Sequence, residues 1–315
     1  VSVSPSVHPE LSATLPANLL LAGEYAVTLE GGVGIGLAIN TRASGSWSPG
    51  GPLRVQGFSG ADLPSFSWPG DQGLLGACVE QLKSSCGDPG GEFSIDTSRF
   101  HRPDGSKRGY GSSAVMVGLL TALWYRAAGR GLEGLLQESI RVHRRAQGGR
   151  GSGYDVAASL CGEIIRFTGG RTPRAERVRL DWLPPMVLFT GAAPVATTGA
   201  VARFTSWMAA SPGDAQEFLR SSNGHVAAIL QSGSWEEGCV ALSRYRKLAE
   251  ELGTRIGVSA QITPPADLLP TLEWWKAVGA GNELGVGVLN GRSEKIPTSP
   301  EAELLILSRE GLVWQ

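Results

Sequence analysis

The chain has 315 residues, with 28 Lys+Arg against 29 Asp+Glu, 42% hydrophobic residues and 18% charged ones. That length supports two ordinary domains or one large one, and a net charge of -1 excludes a globally basic nucleic-acid binder. Glycine is in excess, 44 residues or about twice its usual share, which in a chain of normal apolar content calls for many turns or for backbone that approaches a ligand closely.

In chain order, apolar runs of strand length occur at Leu19–Leu21, Gly34–Ile39, Glu163–Phe167, Met186–Phe189, Gly285–Leu289 and Leu304–Leu307. Between them lie helix-period patterns. The clearest covers Ser112 to Ala128, where Val115, Leu119, Leu123 and Tyr125 recur before Gly129. Leu132–Ala146 follows and ends in a basic turn of Arg141, His143, Arg144 and Arg145. Ala200–Met208, Asp214–Ser221, Trp235–Leu252 and Ala266–Trp275 predict a mainly helical second half. Ser44–Pro52 and Ser67–Gly70 read as turns, and Asp181–Pro185 as a break between two units. The expected organisation is α+β in two domains, residues 1–182 and 183–315.

Cys78, Cys86, Cys161 and Cys239 are scattered, without the spacing of a zinc site or a disulfide framework. Val1–Glu10 lacks the basic and apolar regions of a signal peptide. Leu183–Ala202 is about long enough to span a bilayer, but Pro184, Pro185, Gly191, Pro194 and Gly199 interrupt it. The expectation is a cytoplasmic protein, monomer or homodimer, with no membrane and no nucleic-acid partner.

Four segments carry chemistry. Lys107-Arg-Gly-Tyr-Gly-Ser-Ser-Ala114 precedes an apolar helix. Such a turn leaves backbone N–H groups open, and they converge with the positive helix end on an anion; otherwise the segment is a loop whose serine caps a helix. Gln147-Gly-Gly-Arg-Gly-Ser-Gly-Tyr-Asp155-Val-Ala-Ala158 puts an acid near a helix N-terminus. There the dipole favours its charge, and it serves either as a base or as a cap. Lys276-Ala-Val-Gly-Ala-Gly-Asn-Glu-Leu-Gly-Val-Gly287 sets a glycine-rich turn before a strand. The fourth segment is the opening, Pro16-Ala-Asn-Leu-Leu-Leu-Ala-Gly-Glu-Tyr-Ala26. Without a ligand it reads as a strand and hairpin with Glu24 as a surface charge.

Taken together and in this order, the four segments resemble the motifs of the GHMP kinase superfamily, most closely its phosphomevalonate kinase branch. The opening is similar to A-P-G-K-x-L-L-x-G-E-Y-A-V, and Gly109-Tyr-Gly-Ser-Ser-Ala114 to the G-L-G-S-S-A phosphate loop. His143–Ala158, HRRAQGGRGSGYDVAA, resembles H-x-x-A-Q-G-K-x-G-S-G-F-D-V-A-A, the most specific match, and Gly279-Ala-Gly281 resembles G-A-G-G. The resemblance implies an N-terminal domain of the ribosomal protein S5 domain 2 type and a ferredoxin-like C-terminal domain. It also implies ATP and Mg²⁺ as cofactors, with γ-phosphoryl transfer to a small phosphorylated acid. In that branch 5-phosphomevalonate becomes 5-diphosphomevalonate in the mevalonate pathway.

Carried over by position, the resemblance gives Gly109, Tyr110, Gly111, Ser112, Ser113 and Ala114 to the nucleotide phosphates, with Ser112 or Ser113 also on the metal. It makes Asp155 catalytic. It gives Ser152, Gly153, Glu24, Tyr25, Thr197, Thr198, Arg203, Gly279, Ala280 and Gly281 to the acceptor pocket. The family lysine of the first motif is Asn18 here, a hydrogen-bond donor without charge, so Lys107, Arg145 or Arg150 is left to supply a cation. The magnesium-binding glutamate of mevalonate kinases aligns with Arg144, and Asn282 and Glu283 replace small residues of the third motif. The alternatives are a kinase of mevalonate or another small hydroxy acid or sugar, and a nucleotide-binding relative that has lost catalysis.

Overall fold

The computed structural model describes residues 9–60, 65–149, 151–191, 197–290 and 302–315, without the side chains of residues 197 and 198. The chain forms two compact units that interleave in sequence. Unit 1 comprises Val1–Ala17, Thr41–Gly162 and Arg309–Gln315, and unit 2 comprises Asn18–Asn40 and Glu163–Ser308. The expected division, by contrast, cuts the chain once, after residue 182. Strands β1 (Leu11–Ala22) and β2 (Val33–Ser48) each contribute residues to both units.

Unit 1 contains the first half of β1, the second half of β2, β3 (Arg54–Phe58), β4 (Phe66–Trp68), β5 (Glu92–Asp96) and β12 (Val313–Trp314). β5 pairs antiparallel with Ser44–Ser48 of β2 and parallel with β3, while β4 and β12 pair antiparallel with β3 and β1. Its helices are α1 (Leu74–Cys86), α2 (Ser112–Ala127), α3 (Leu135–Ala146) and α4 (Tyr154–Cys161). α2 is buried on all sides from Ala114 to Tyr125, as a largely apolar helix requires, and its Thr121 hydroxyl donates to the Val117 carbonyl. Trp124 stacks on Phe93 with ring centroids 5.2 Å apart and donates its indole N–H to the Gly87 carbonyl at 2.9 Å. α2 has no side chain at Gly118, where a Cβ would stand 2.7 Å from Leu15.

Unit 2 pairs Val33–Leu37 of β2 with β6 (Ile164–Thr168), and β6 with β7 (Arg174–Val178). A second, antiparallel sheet is built from β8 (Met186–Thr190), β9 (Leu272–Val278), β10 (Leu284–Leu289) and β11 (Ala302–Leu305), in the order β11-β8-β10-β9. Numbered within this sheet the order is 4-1-3-2, the ferredoxin-like arrangement. Three helices connect β8 to β9: α5 (Thr197–Ala210), α6 (Pro212–Gln231) and α7 (Trp235–Ile256). The Ser234 hydroxyl accepts the Glu237 N–H, and the Glu237 carboxylate accepts the Gly233 N–H, a reciprocal cap that starts α7. Ala26, Phe204, Phe218, Leu252 and Ile256 form one core, and Val187, Phe189, Leu268 and Leu272 another.

Several local expectations change. The helix expected over Ala266–Trp275 is a 3₁₀ turn followed by β9, because Leu272, Trp274 and Lys276 alternate inward. The turn expected from Ser44 begins only after Ser48, since β2 continues through SGSWS against β5. Within Ser67–Gly70, Ser67 and Trp68 belong to β4, and the turn follows at a cis Trp68–Pro69 bond. Asp181–Pro185 joins β7 to β8 inside unit 2. α1, β3, β5, β7 and β12 lie outside the expected elements. All four cysteines are free thiols, and no helix among the described residues is long and apolar enough to cross a membrane.

Candidate phosphate-binding and catalytic site

Unit 1 assembles one site from the N-termini of α2 and α4 and the C-terminus of α3. Gly109 and Gly111 have φ of 83° and 78°, a region that favours glycine, and Gly111 is the N-cap of α2. The first bond of the helix runs from the Val115 N–H to the Gly111 carbonyl, so the N–H groups of Ser112, Ser113 and Ala114 have no acceptor within the helix. No acidic residue lies in this first turn. Between the glycines Tyr110 is buried and anchors the loop. Open N–H groups, the positive helix end and two hydroxyls suit a phosphate chain. Lys107, at the loop entrance, is exposed, and its carbonyl accepts the Arg102 guanidinium at 2.8 Å.

The second part of the site is the segment from His143 to Asp155. α4 starts after Gly153, whose φ of 84° makes it a left-handed N-cap. A Cβ on Gly153 would come within 2.5 Å of Ile140, so α3 packs directly against this turn. The Ser152 hydroxyl accepts the Tyr154 N–H at 3.3 Å. Asp155 sits in the first turn of α4, where the helix dipole favours its charge, and its Oδ1 accepts the Val156 N–H at 2.9 Å. The loop before it is held by Arg144, which donates Nε to the Gly151 carbonyl at 3.0 Å and Nη2 to the Ser152 carbonyl at 2.5 Å.

His143 connects the two parts. It is 2% exposed; its Nδ1 lies 3.7 Å from Asp155 Oδ1, and its Nε2 lies 2.9 Å from Gln147 Nε2 and 3.4 Å from Ser113 Oγ. The structure thus brings together Ser113, Ser152, Gly153 and Asp155 among the expected residues. Sequence marks His143 and Arg144 only as part of a basic turn and Gln147 not at all, although all three lie in the most specific motif.

A different set meets within unit 2. Glu24 is buried rather than a surface charge: its Oε1 lies 2.5 Å from Lys276 Nζ, and Lys276 is itself 1% exposed. The Tyr25 hydroxyl donates to the Ala280 carbonyl at 2.6 Å, which ties the first motif to the Gly279–Gly281 turn. Burial and the neighbouring Glu24 carboxylate push the Tyr25 phenol well above its usual pKa. Asn18 is buried on β1. Arg203 is exposed and donates to the Gly257 carbonyl. Thr197 and Thr198 open α5, with side chains outside the described residues, as is all of Arg150. Lys276 opens the third segment, but an inward lysine on a strand gives no sequence signal until its partner is known.

No protein-family model and no curated protein matches the chain. Solved structures do. The Lin0012 protein from Listeria innocua superposes with a TM-score of 0.78 at 18% identity, covering 98% of this chain and 99% of that one. Streptococcus pneumoniae phosphomevalonate kinase in complex with phosphomevalonate and AMPPNP gives 0.72 at 17% identity, covering 89% and 93%. L. major mevalonate kinase in complex with R-mevalonate superposes with a TM-score of 0.63 at 16% identity, covering 95% of each chain. At such identities the likeness speaks for architecture, and the two-domain α+β fold of this chain is that of the GHMP kinases.

Proposed function

We propose that the chain is an ATP-dependent kinase that transfers the γ-phosphoryl group to the phosphate of 5-phosphomevalonate, giving 5-diphosphomevalonate and ADP. The observation that carries this reading is the convergence of the phosphate loop and Asp155 on the two nitrogens of one buried imidazole. A nucleotide phosphate chain on the N–H groups of Ser112–Ala114 would therefore lie close to the only acid in the first turn of α4. Two neighbours with matching folds are a phosphomevalonate kinase and a mevalonate kinase, and the HRRAQGGRGSGYDVAA segment favours the first.

The residues act mainly by positioning and electrostatics, as phosphoryl transfer generally requires. The α2 N-terminus binds and orients the phosphates. Asp155 orients the acceptor and takes the proton of the fraction that arrives as the monoanion; Arg144 fixes the loop from which Asp155 projects. Among the described residues no group of three His, Cys, Asp or Glu side chains is placed to hold a metal. The loop hydroxyls do fit Mg²⁺ carried in with the nucleotide, so Ser112 or Ser113 would hold it. The ion, when bound, neutralises phosphate charge.

A second reading keeps the kinase and changes the acceptor to an alcohol, such as mevalonate. The feature that favours it is Asp155 itself. A phosphate monoester is largely ionised near neutral pH, its second pKa being about 6, whereas a hydroxyl needs a base. ADP release measured with 5-phosphomevalonate, mevalonate and a small sugar panel decides between them. Turnover confined to 5-phosphomevalonate is expected, and a preference for mevalonate would sink the first reading. Asp155→Asn is expected to lower kcat by about 10²-fold or more while ATP affinity stays within about twofold. ATP binding without turnover on any acceptor would mark a relative that has lost catalysis.

A further inference from the structure

We propose that His143 is a positioning residue for Asp155, held as the Nδ1–H tautomer by Gln147. The inference rests on the kinase reading for its catalytic consequence but not for its structural content. Gln147, the C-cap of α3, lies four residues beyond His143, and its amide nitrogen faces His143 Nε2 at 2.9 Å. A carboxylate facing Nδ1 favours the ring proton there, which leaves Nε2 to accept from the Gln147 amide. Ser113 Oγ–H, at 3.4 Å, approaches the same acceptor. The Nδ1 proton then faces Asp155 Oδ1 across 3.7 Å. That is long for a hydrogen bond, but such contacts commonly tighten when substrate fills the site.

The consequence is a carboxylate with two unequal oxygens. Oδ1 faces the imidazole and accepts the Val156 N–H, which leaves Oδ2 as the oxygen directed to the acceptor. A histidine that donates one nitrogen to a carboxylate while its other nitrogen is satisfied elsewhere fixes the rotamer of that carboxylate. Burial of the ring at 2% exposure, with α2, α3 and α4 each contributing one partner, keeps it from turning. A movement of the phosphate loop at Ser113 would reach Asp155 through this ring, so nucleotide binding and acceptor alignment share one side chain.

The test uses the full chain, ATP and 5-phosphomevalonate, with mevalonate as the second acceptor. His143→Asn keeps an N–H where Nδ1 stood, whereas His143→Gln places its amide where Nε2 stood. The expected result is that His143→Gln and His143→Ala lower kcat by about 10- to 100-fold, with KM for ATP within about twofold. His143→Asn should recover most of that loss. Equal losses in the Asn and Gln variants, or a change confined to KM, would overturn the proposal. Independently of turnover, ¹⁵N imidazole spectra report the tautomer, and the His143 signals are those absent from His143→Asn. An Nδ1–H form that shifts on Asp155→Asn is expected, and an Nε2–H form overturns the proposal. A parent chain inactive on both acceptors would remove the kinase reading and leave the proposal to this spectrum.

Discussion

Glu24 and Lys276, 252 residues apart in the chain, neutralise each other inside unit 2, with the ammonium also 5.6 Å from the centre of the Tyr245 ring. Lys276 gives a second bond to the Ala277 carbonyl. The pair lies next in sequence to Tyr25 and three residues before Gly279, so it and the Tyr25–Ala280 bond fasten the first motif to the third. Glu24, expected among the acceptor-binding residues, has a structural partner that accounts for its burial.

Lys276→Met leaves the Glu24 carboxylate buried without its cation. Removing one partner of a buried pair destabilises a protein by about 3–5 kcal/mol, whereas replacing both with apolar groups of similar volume is often nearly neutral. Urea unfolding should therefore show a large loss in Lys276→Met and substantial recovery in the Glu24→Leu/Lys276→Met double variant. A double variant as unstable as the sum of its parents would mean that the two charges do not interact.

Two phenols beside this pair make stability depend on pH in the alkaline range. Tyr245 is fully buried, and desolvation first, then the Glu24 charge, hold its hydroxyl well above the usual value of 10.0; Tyr25 is raised for the same two reasons. Because the folded state keeps these protons longer, their contribution is intact below pH 10.0 and declines as pH rises above it. Each group steepens the decline by about 1.4 kcal/mol per pH unit. Burial also pushes the Cys78 thiol up to about 12, so it acts the same way from pH 9.0 upward. Tyr245→Phe should flatten the fall of unfolding free energy between pH 10 and 11 by about that slope, and an unchanged slope would contradict the assignment.

Much of this was legible because it depends on local pattern. α2 shows in sequence because Val115 to Tyr125 is uncharged and largely apolar, and the candidate phosphate loop because glycines at 109 and 111 stand just before such a helix. What was not legible depends on distant partners. Leu268, Leu272 and Trp275 have helical spacing, but Leu272, Trp274 and Lys276 point inward from a strand, and the lysine in that row makes sense only opposite Glu24. His143 read as part of a basic turn; its role comes from Ser113 and Asp155, thirty residues before it and twelve after.

A methyl group on Gly153 would meet both an unfavourable backbone conformation and a close neighbour. Its φ of 84° disfavours any side chain, and a Cβ would meet Ile140 at 2.5 Å. The left-handed conformation alone costs roughly 1–2 kcal/mol for an alanine, and overpacking adds to it. Gly153→Ala should lower stability in urea by about 2 kcal/mol or more; in an Ile140→Ala background, which removes both Cγ atoms the new Cβ would meet, the same substitution should cost only the backbone part. No cost in that background would show that backbone conformation contributes nothing.

Arg144 offers the sharpest separation of charge from geometry. Its guanidinium holds two successive carbonyls, Gly151 and Ser152, with two different nitrogens. Lysine keeps the charge but presents a point donor on a flexible stem and cannot reproduce that fork. The last turn of α3 also favours a cation through the helix dipole, so Arg144→Lys preserves the helix while freeing the loop. Amide hydrogen exchange should accelerate by about tenfold or more over residues 151–156, equivalent to roughly 1.4 kcal/mol of lost protection. Exchange along Ser112–Ala127 should not change. If kcat falls in parallel while ATP affinity is kept, the carbonyl fork is what sets Asp155 in place. If exchange accelerates and kcat does not fall, Asp155 is positioned by α4 and His143 alone.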